Sequence, residues 1–123
     1  MKNFKIGKEI KTILVSDTTV YSKLGNKIFP IVADLGTKFP FLVYRRTSFR
    51  PYNNKDYTDE AVYMDLLIVS QSYEQSVDIA DVVADALDKK STNTIDEINI
   101  VNIHEDYIDD SYTQVISIEI LLH

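Results

Sequence analysis

Apolar residues recur at helical spacing in FKIGKEIKTILV, residues 4–15, where Ile6, Ile10, Ile13 and Leu14 share a stripe and Lys5, Lys8, Glu9 and Lys11 lie elsewhere. The pattern predicts an amphipathic helix, weakened by Gly7. After Ser16-Asp17, the run TTVYSKLGNKIFP offers turn chemistry at Leu24-Gly25-Asn26 and a short strand over residues 27–29. Pro30 lacks a ladder donor, so it should stop that strand or hold it at an edge. In PFLVYRRTSFR, residues 40–50, Pro40 opens a strand with Phe41, Val43, Arg45 and Thr47 on one face and Leu42, Tyr44 and Arg46 on the other. PYNNKDYTD, residues 51–59, is too polar for a core and reads as a loop or hairpin tip.

Residues 60–71, EAVYMDLLIVSQ, predict a strand with two apolar faces: Val62, Met64, Leu66 and Ile68 on one, Tyr63, Leu67 and Val69 on the other. Such a strand is central, with helices over one side and room for a partner chain on the other. Ser72-Tyr-Glu-Gln75 matches a capping box for a helix over residues 73–90, with Tyr73, Val77, Ala80, Val83, Ala84 and Leu87 as its buried stripe. Glu74, Asp78, Asp81, Asp85 and Asp88 share another face of that helix. A polar connector, Ser91 to Thr94, leads to strands over about 95–104 and 111–122, the last alternating at Ile116, Ile118, Ile120 and Leu122. The order α-β-β-β-α-β-β predicts an α+β domain spanning residues 1–123, with a mostly antiparallel sheet of four to five strands and two helices.

Composition narrows the chemistry. A chain of 123 residues with 45% hydrophobic content fits one modestly sized core. The absence of cysteine removes disulfides, thiolate nucleophiles and cysteine-ligated zinc. No stretch has the form of a secretory signal or a membrane span, which leads one to expect a soluble chain made in the cytoplasm. The net charge of −6 is unevenly placed: all 13 Lys and Arg lie in residues 1–90, and residues 91–123 carry acids without a Lys or Arg. That polarity disfavours a nucleic-acid grip and suits a complementary protein surface or another copy of the chain.

The succession KLGNKIFP, then PFLVYRRTS, then VYMDLLIVSQSYEQSVDIADVVADAL resembles the tail-completion, or tail-terminator-like, family of long-tailed bacteriophages and prophages. Gly25, Lys27, Ile28, Phe29, Pro30, Pro40, Val43, Tyr44, Ser72, Tyr73, Ala80, Ala84 and Leu87 stand at matching positions, over about residues 5–90. Lys27 stands where arginine is commoner, and the closing strands are richer in acids than the family pattern. The resemblance implies a non-enzymatic structural protein without a cofactor. Such proteins form a ring, commonly hexameric, on the end of the tail tube, stop its growth and join it to the head side. The implied partners are further copies of the chain, the tail-tube protein and a head-completion or connector protein, with DNA only passing through and no membrane involved. The implied location is the virion tail at the head-tail interface, reached from the host cytoplasm. A ring would explain the doubly apolar third strand, since each subunit buries one patch against a different patch of its neighbour.

On this reading Arg45, Arg46, Arg50, Tyr52, Asn53, Asn54, Lys55, Tyr63 and Leu67 are the expected subunit or tube contacts. Arginines interleaved with Tyr44, Phe49 and Tyr52 could also touch nucleic acid, but a charge-guarded edge strand or a protein contact is the simpler reading. The acids Glu74, Asp78, Asp81, Asp85 and Asp88 form a solvated face, or in a ring face the channel and repel DNA phosphates. The alternative is a small metal-binding protein or enzyme built on His104, Glu105, Asp106, Asp109 and Asp110, or a host ligand-binding domain. That cluster lacks the glycine-centred calcium loop and reads more simply as a solvated turn. No glycine-framed serine and no phosphate-binding glycine loop accompanies it, so no catalytic residue is assigned.

Overall fold

The computed structural model describes residues 2–51 and 60–123. A single 3₁₀ turn, Lys2–Lys5, leads into α1 (Ile6–Ser16), which buries Ile6, Ile10 and Leu14 at i, i+4, i+8 spacing. Gly7 sits where a Cβ would come within 2.8 Å of Tyr44 Cε2, so the residue that weakens the helix also lets it lie against the sheet. At Asp17 the chain turns into α2 (Thr18–Leu24), a helix the sequence reading leaves as a connector. Asp17 Oδ1 accepts from the Thr19 and Val20 N–H groups, both at 3.0 Å, and Val20 and Leu24 are buried one turn apart. Replacing this cap, Asp17→Ala, is expected to cost about 1 kcal/mol, read as a lower midpoint in urea denaturation. Gly25, at φ 58°, closes the helix.

Five strands follow in one sheet: β1 (Ile28–Pro30), β2 (Phe41–Arg50), β3 (Glu60–Ser70), β4 (Ile95–Ile108) and β5 (Ser111–Leu122), ordered β1-β2-β3-β5-β4. The sheet is mixed: β1 runs parallel to β2, and the other three pairings are antiparallel. β1 lies at an edge and ends on Pro30, where the missing N–H costs no ladder bond. The peptide bond between Phe39 and Pro40 is cis, and β2 begins at the next residue.

Between β3 and β4 lies α3 (Tyr73–Leu87), three residues shorter than the predicted 73–90; Ser72 Oγ accepts from the Gln75 N–H at 3.3 Å, but the Ser72 N–H donates to Ser70 Oγ and Gln75 Oε1 accepts from that same hydroxyl, so only the serine half of the capping box forms. Its buried residues are Ser76, Ile79, Val83 and Leu87. The stripe predicted from periodicity is therefore corrected at its first two members: Tyr73 and Val77 are exposed, and Ala80 and Ala84 are half-buried. The helix is apolar over a wide arc, and packing selects the branched side chains of Ile79 and Val83 over the small alanines.

All three helices contribute to one core against one sheet face, with Val62, Met64, Leu66 and Ile68 from β3 and Ile116, Ile118, Ile120 and Leu122 from β5. The opposite face of β3, with Tyr63, Leu67 and Val69, is half-buried. The polar loop predicted at 51–59 falls, apart from Pro51, outside the described residues.

Candidate functional site

The sheet presents a face that no helix of the described residues covers, and two of the expected contact arginines lie on it. In an unbroken strand Arg45 and Arg50 would point to opposite faces, because side chains alternate. A bulge between Arg46 and Ser48 adds one residue and reverses the parity, so Arg45 pairs across from Asp65 and Arg50 across from Ala61 on the same face. There Arg45 approaches Asp65 at 3.7 Å, and Ser117 Oγ donates to Asp65 Oδ1 at 2.7 Å. Beside this group, Glu119 accepts from Tyr63 Oη at 2.9 Å and from Asn99 Nδ2 at 3.4 Å, and Arg50 stands 3.9 Å away. Asn99 in turn accepts from Lys89 Nζ. The result is a polar band crossing all four long strands, with an apolar field beside it formed by Val43, Leu67 and Val115 in register.

Structure thus brings Arg45, Arg50, Tyr63 and Leu67 together. Arg46 is turned to the helix side, where its guanidinium lies 4.9 Å from the centre of the Phe4 ring. The remaining expected contacts, Tyr52, Asn53, Asn54 and Lys55, lie outside the described residues. Glu74, Asp78, Asp81, Asp85 and Asp88 are all exposed along α3. Glu74 and Asp78 line a cleft with Ser22 and Lys23 of α2, and Asp81 lines a groove on the β4 side.

The end of β4 is the feature that sequence reasoning missed. The strand runs to Ile108, four residues past the expected end, and joins β5 through Asp109-Asp110, with φ of 51° and 60°. Positive φ at both positions is the mark of a two-residue hairpin turn, more often built with Asn-Gly. All of residues 101–110 are exposed, including Val101, Ile103, Tyr107 and Ile108. Ile103, Ile116, Val77, Ala80 and Ala84 line an open apolar groove of about 220 Å³ between α3 and the hairpin. Alternation of apolar residues through IVNIHEDYI was the available signal, obscured by the acids among them.

This extension divides the His-and-acid cluster. His104 and Asp106 pair across from Val115 and Thr113 on the uncovered face, Asp109 and Asp110 make the turn, and Glu105 faces α3. Glu105 accepts from Gln114 Nε2 at 2.9 Å and Tyr73 Oη at 3.2 Å. These bonds, Gln114 first, favour the ionised carboxyl and hold it below the ordinary range for a glutamate, while the same carboxylate raises the Tyr73 hydroxyl. Among the described residues no three His, Asp or Glu side chains are placed to hold a metal ion. Nor does any helix of the described residues have the length and apolarity to cross a membrane.

No protein-family model and no curated protein sequence matches the chain. Its fold is similar to that of a chain in the solved virion of a native gene transfer agent (GTA) particle, with a TM-score of 0.69 at 10% identity. The likeness covers 92% of this chain and 90% of that one, so the two share one fold end to end.

Proposed function

We propose that this chain is a structural, non-enzymatic component of a phage or phage-like particle. More specifically, it is a tail-completion protein that forms a ring at the end of the tail tube, stops tube growth and joins the tube to the head side. The observation that carries this reading is the end-to-end fold likeness to a virion chain. It agrees with the independent resemblance of KLGNKIFP, PFLVYRRTS and the segment leading into α3 to the tail-completion family. The uncovered sheet face, with its band of Arg45, Asp65, Arg50 and Glu119, suits contact with a charged protein surface. In a ring, the exposed acids of α3 are suited to a channel wall, where carboxylates repel DNA phosphates and keep passing DNA from sticking. The partners on this reading are copies of the chain, the tube protein and a connector on the head side, all at the head-tail interface.

Light scattering across a wide concentration range, alone and with tail-tube protein of the same phage or prophage, tests the proposal. A multimer of fixed size, formed alone or only on the tube, is the expected result. A monomer at every concentration that ignores the tube would overturn the ring and leave the fold.

A further inference from the structure

Three tyrosines and one glutamate meet where the start of α3 packs beside the tip of the β4–β5 hairpin. In a two-residue hairpin the pair flanking the turn, Ile108 and Ser111, is hydrogen-bonded, so the next pair, Tyr107 and Tyr112, is of the kind whose side chains stand closest. Their ring centres are 4.9 Å apart, with the planes inclined at 60°. Tyr73, the first residue of α3, meets the Tyr112 ring at 5.7 Å and 74°. The rings thus stand as steep walls and not as a flat stack, and with Glu105 and Asp106 they line an open cavity of about 210 Å³. Tyr73 and Tyr107 are 47% and 56% exposed, so the cavity is reached from solvent.

The Glu105 carboxylate is held at these rings by Tyr73 Oη and Gln114 Nε2. Both donors are neutral, so they orient the charge without cancelling it. Among the described residues no Lys, Arg or His forms an ion pair with Glu105. The surroundings add to its field: α3 carries Glu74, Asp78, Asp81 and Asp85 without a Lys or Arg, and residues 101–110 hold acids without either base. Packing of tyrosines on one another explains the rings but gives no reason to keep an uncompensated carboxylate beside them. Aromatic faces carry the negative part of the ring quadrupole, so three rings and a carboxylate converge on one kind of ligand, an organic cation.

We infer that Tyr73, Tyr107, Tyr112 and Glu105 form a cage that takes the ammonium or guanidinium group of a Lys or Arg side chain presented by a partner protein. Gln114 points to a protein as the source of the cation. Its amide donates to Glu105, and its side chain also lines the apolar groove of Val77, Ala80, Ala84, Ile103 and Ile116, so cage and groove are neighbours. A basic side chain entering the cage carries its apolar neighbours to that groove, whereas a small free cation would leave the groove in water. The occupant is therefore a segment with Lys or Arg flanked by apolar residues. This goes beyond the ring reading and does not depend on it.

NMR titration of the full-length protein, followed at the tyrosine rings and the backbone amides, tests the cage. The probes are a short peptide with one lysine between leucines, the same peptide with norleucine in place of the lysine, and tetramethylammonium chloride, all at matched ionic strength. The expected result is saturable movement of the Tyr73, Tyr107 and Tyr112 ring signals and of the Val77 and Ile103 amides with the lysine peptide, and binding weaker by about threefold or more with the norleucine peptide. Tyr107→Leu and Glu105→Gln should each weaken the lysine peptide by about threefold or more. Both positions are exposed, so the rest of the spectrum should remain that of the folded chain. Equal binding of the norleucine peptide, or unchanged affinity in both variants, overturns the cation site and leaves only an apolar groove. Tetramethylammonium that binds as tightly as the lysine peptide overturns the protein source, and ring signals unmoved by every probe overturn the cage itself. None of these outcomes bears on the ring, which light scattering tests separately.

Discussion

Ile79→Asp is expected to leave the chain unfolded, whereas Val77→Asp, two residues earlier on the same helix, should leave its stability within about 0.5 kcal/mol of the parent. Ile79 is 1% exposed and belongs to the core formed with Val83 and Leu87, while Val77 is 40% exposed on the groove beside the β4–β5 hairpin. An ionised carboxylate at the first position would lose its hydration among aliphatic side chains. The resulting penalty of several kcal/mol is comparable to a whole domain stability of about 5–15 kcal/mol. At the second position the carboxylate remains in water. Far-ultraviolet circular dichroism and urea denaturation of the two variants check the rotation of α3. Equal losses in both, or the reverse order, would return Val77 to the buried stripe that periodicity favours.

Leu66→Ala should cost about 2–5 kcal/mol, through lost transfer energy plus the cavity left in a well-packed interior. Leu66 is fully buried at the centre of β3, between Tyr44 on β2 and Ile116 on β5, facing the helices. Its neighbour Leu67 points to the uncovered face and is only half-buried, so Leu67→Ala should cost clearly less in the isolated subunit. The urea midpoint should fall with little change in slope, because both variants expose nearly the same surface on unfolding. A smaller loss at Leu66 than at Leu67 would contradict the one-sided helix cover. Should Leu67→Ala also weaken multimers while the subunit stays folded, the uncovered face takes part in assembly.

What the sequence determined by itself was whatever neighbours along the chain can specify. The i, i+4, i+8 stripe of Ile6, Ile10 and Leu14, the Ser72 cap, the prolines beside β1 and β2, and the alternation in β5 are local patterns, and each is realised. α2 was equally local, through the Asp17 cap and the spacing of Val20 and Leu24, but it is only seven residues long and ends in turn residues that dominate the reading. The charge asymmetry was also legible, since it needs no geometry. Tertiary structure decided the rest. α3 has apolar residues around a wide arc, so only the sheet beneath it selects Ile79 over Val77. The β2 bulge places Arg50 beside Arg45 because pairing with β3, distant in sequence, absorbs one extra residue. β4 continues through His104, Glu105 and Asp106 because each pairs in register with β5, and the ladder bonds open to His104 and Asp106 do not depend on side-chain polarity. Acids that read as a loop thereby become the outer edge of a strand.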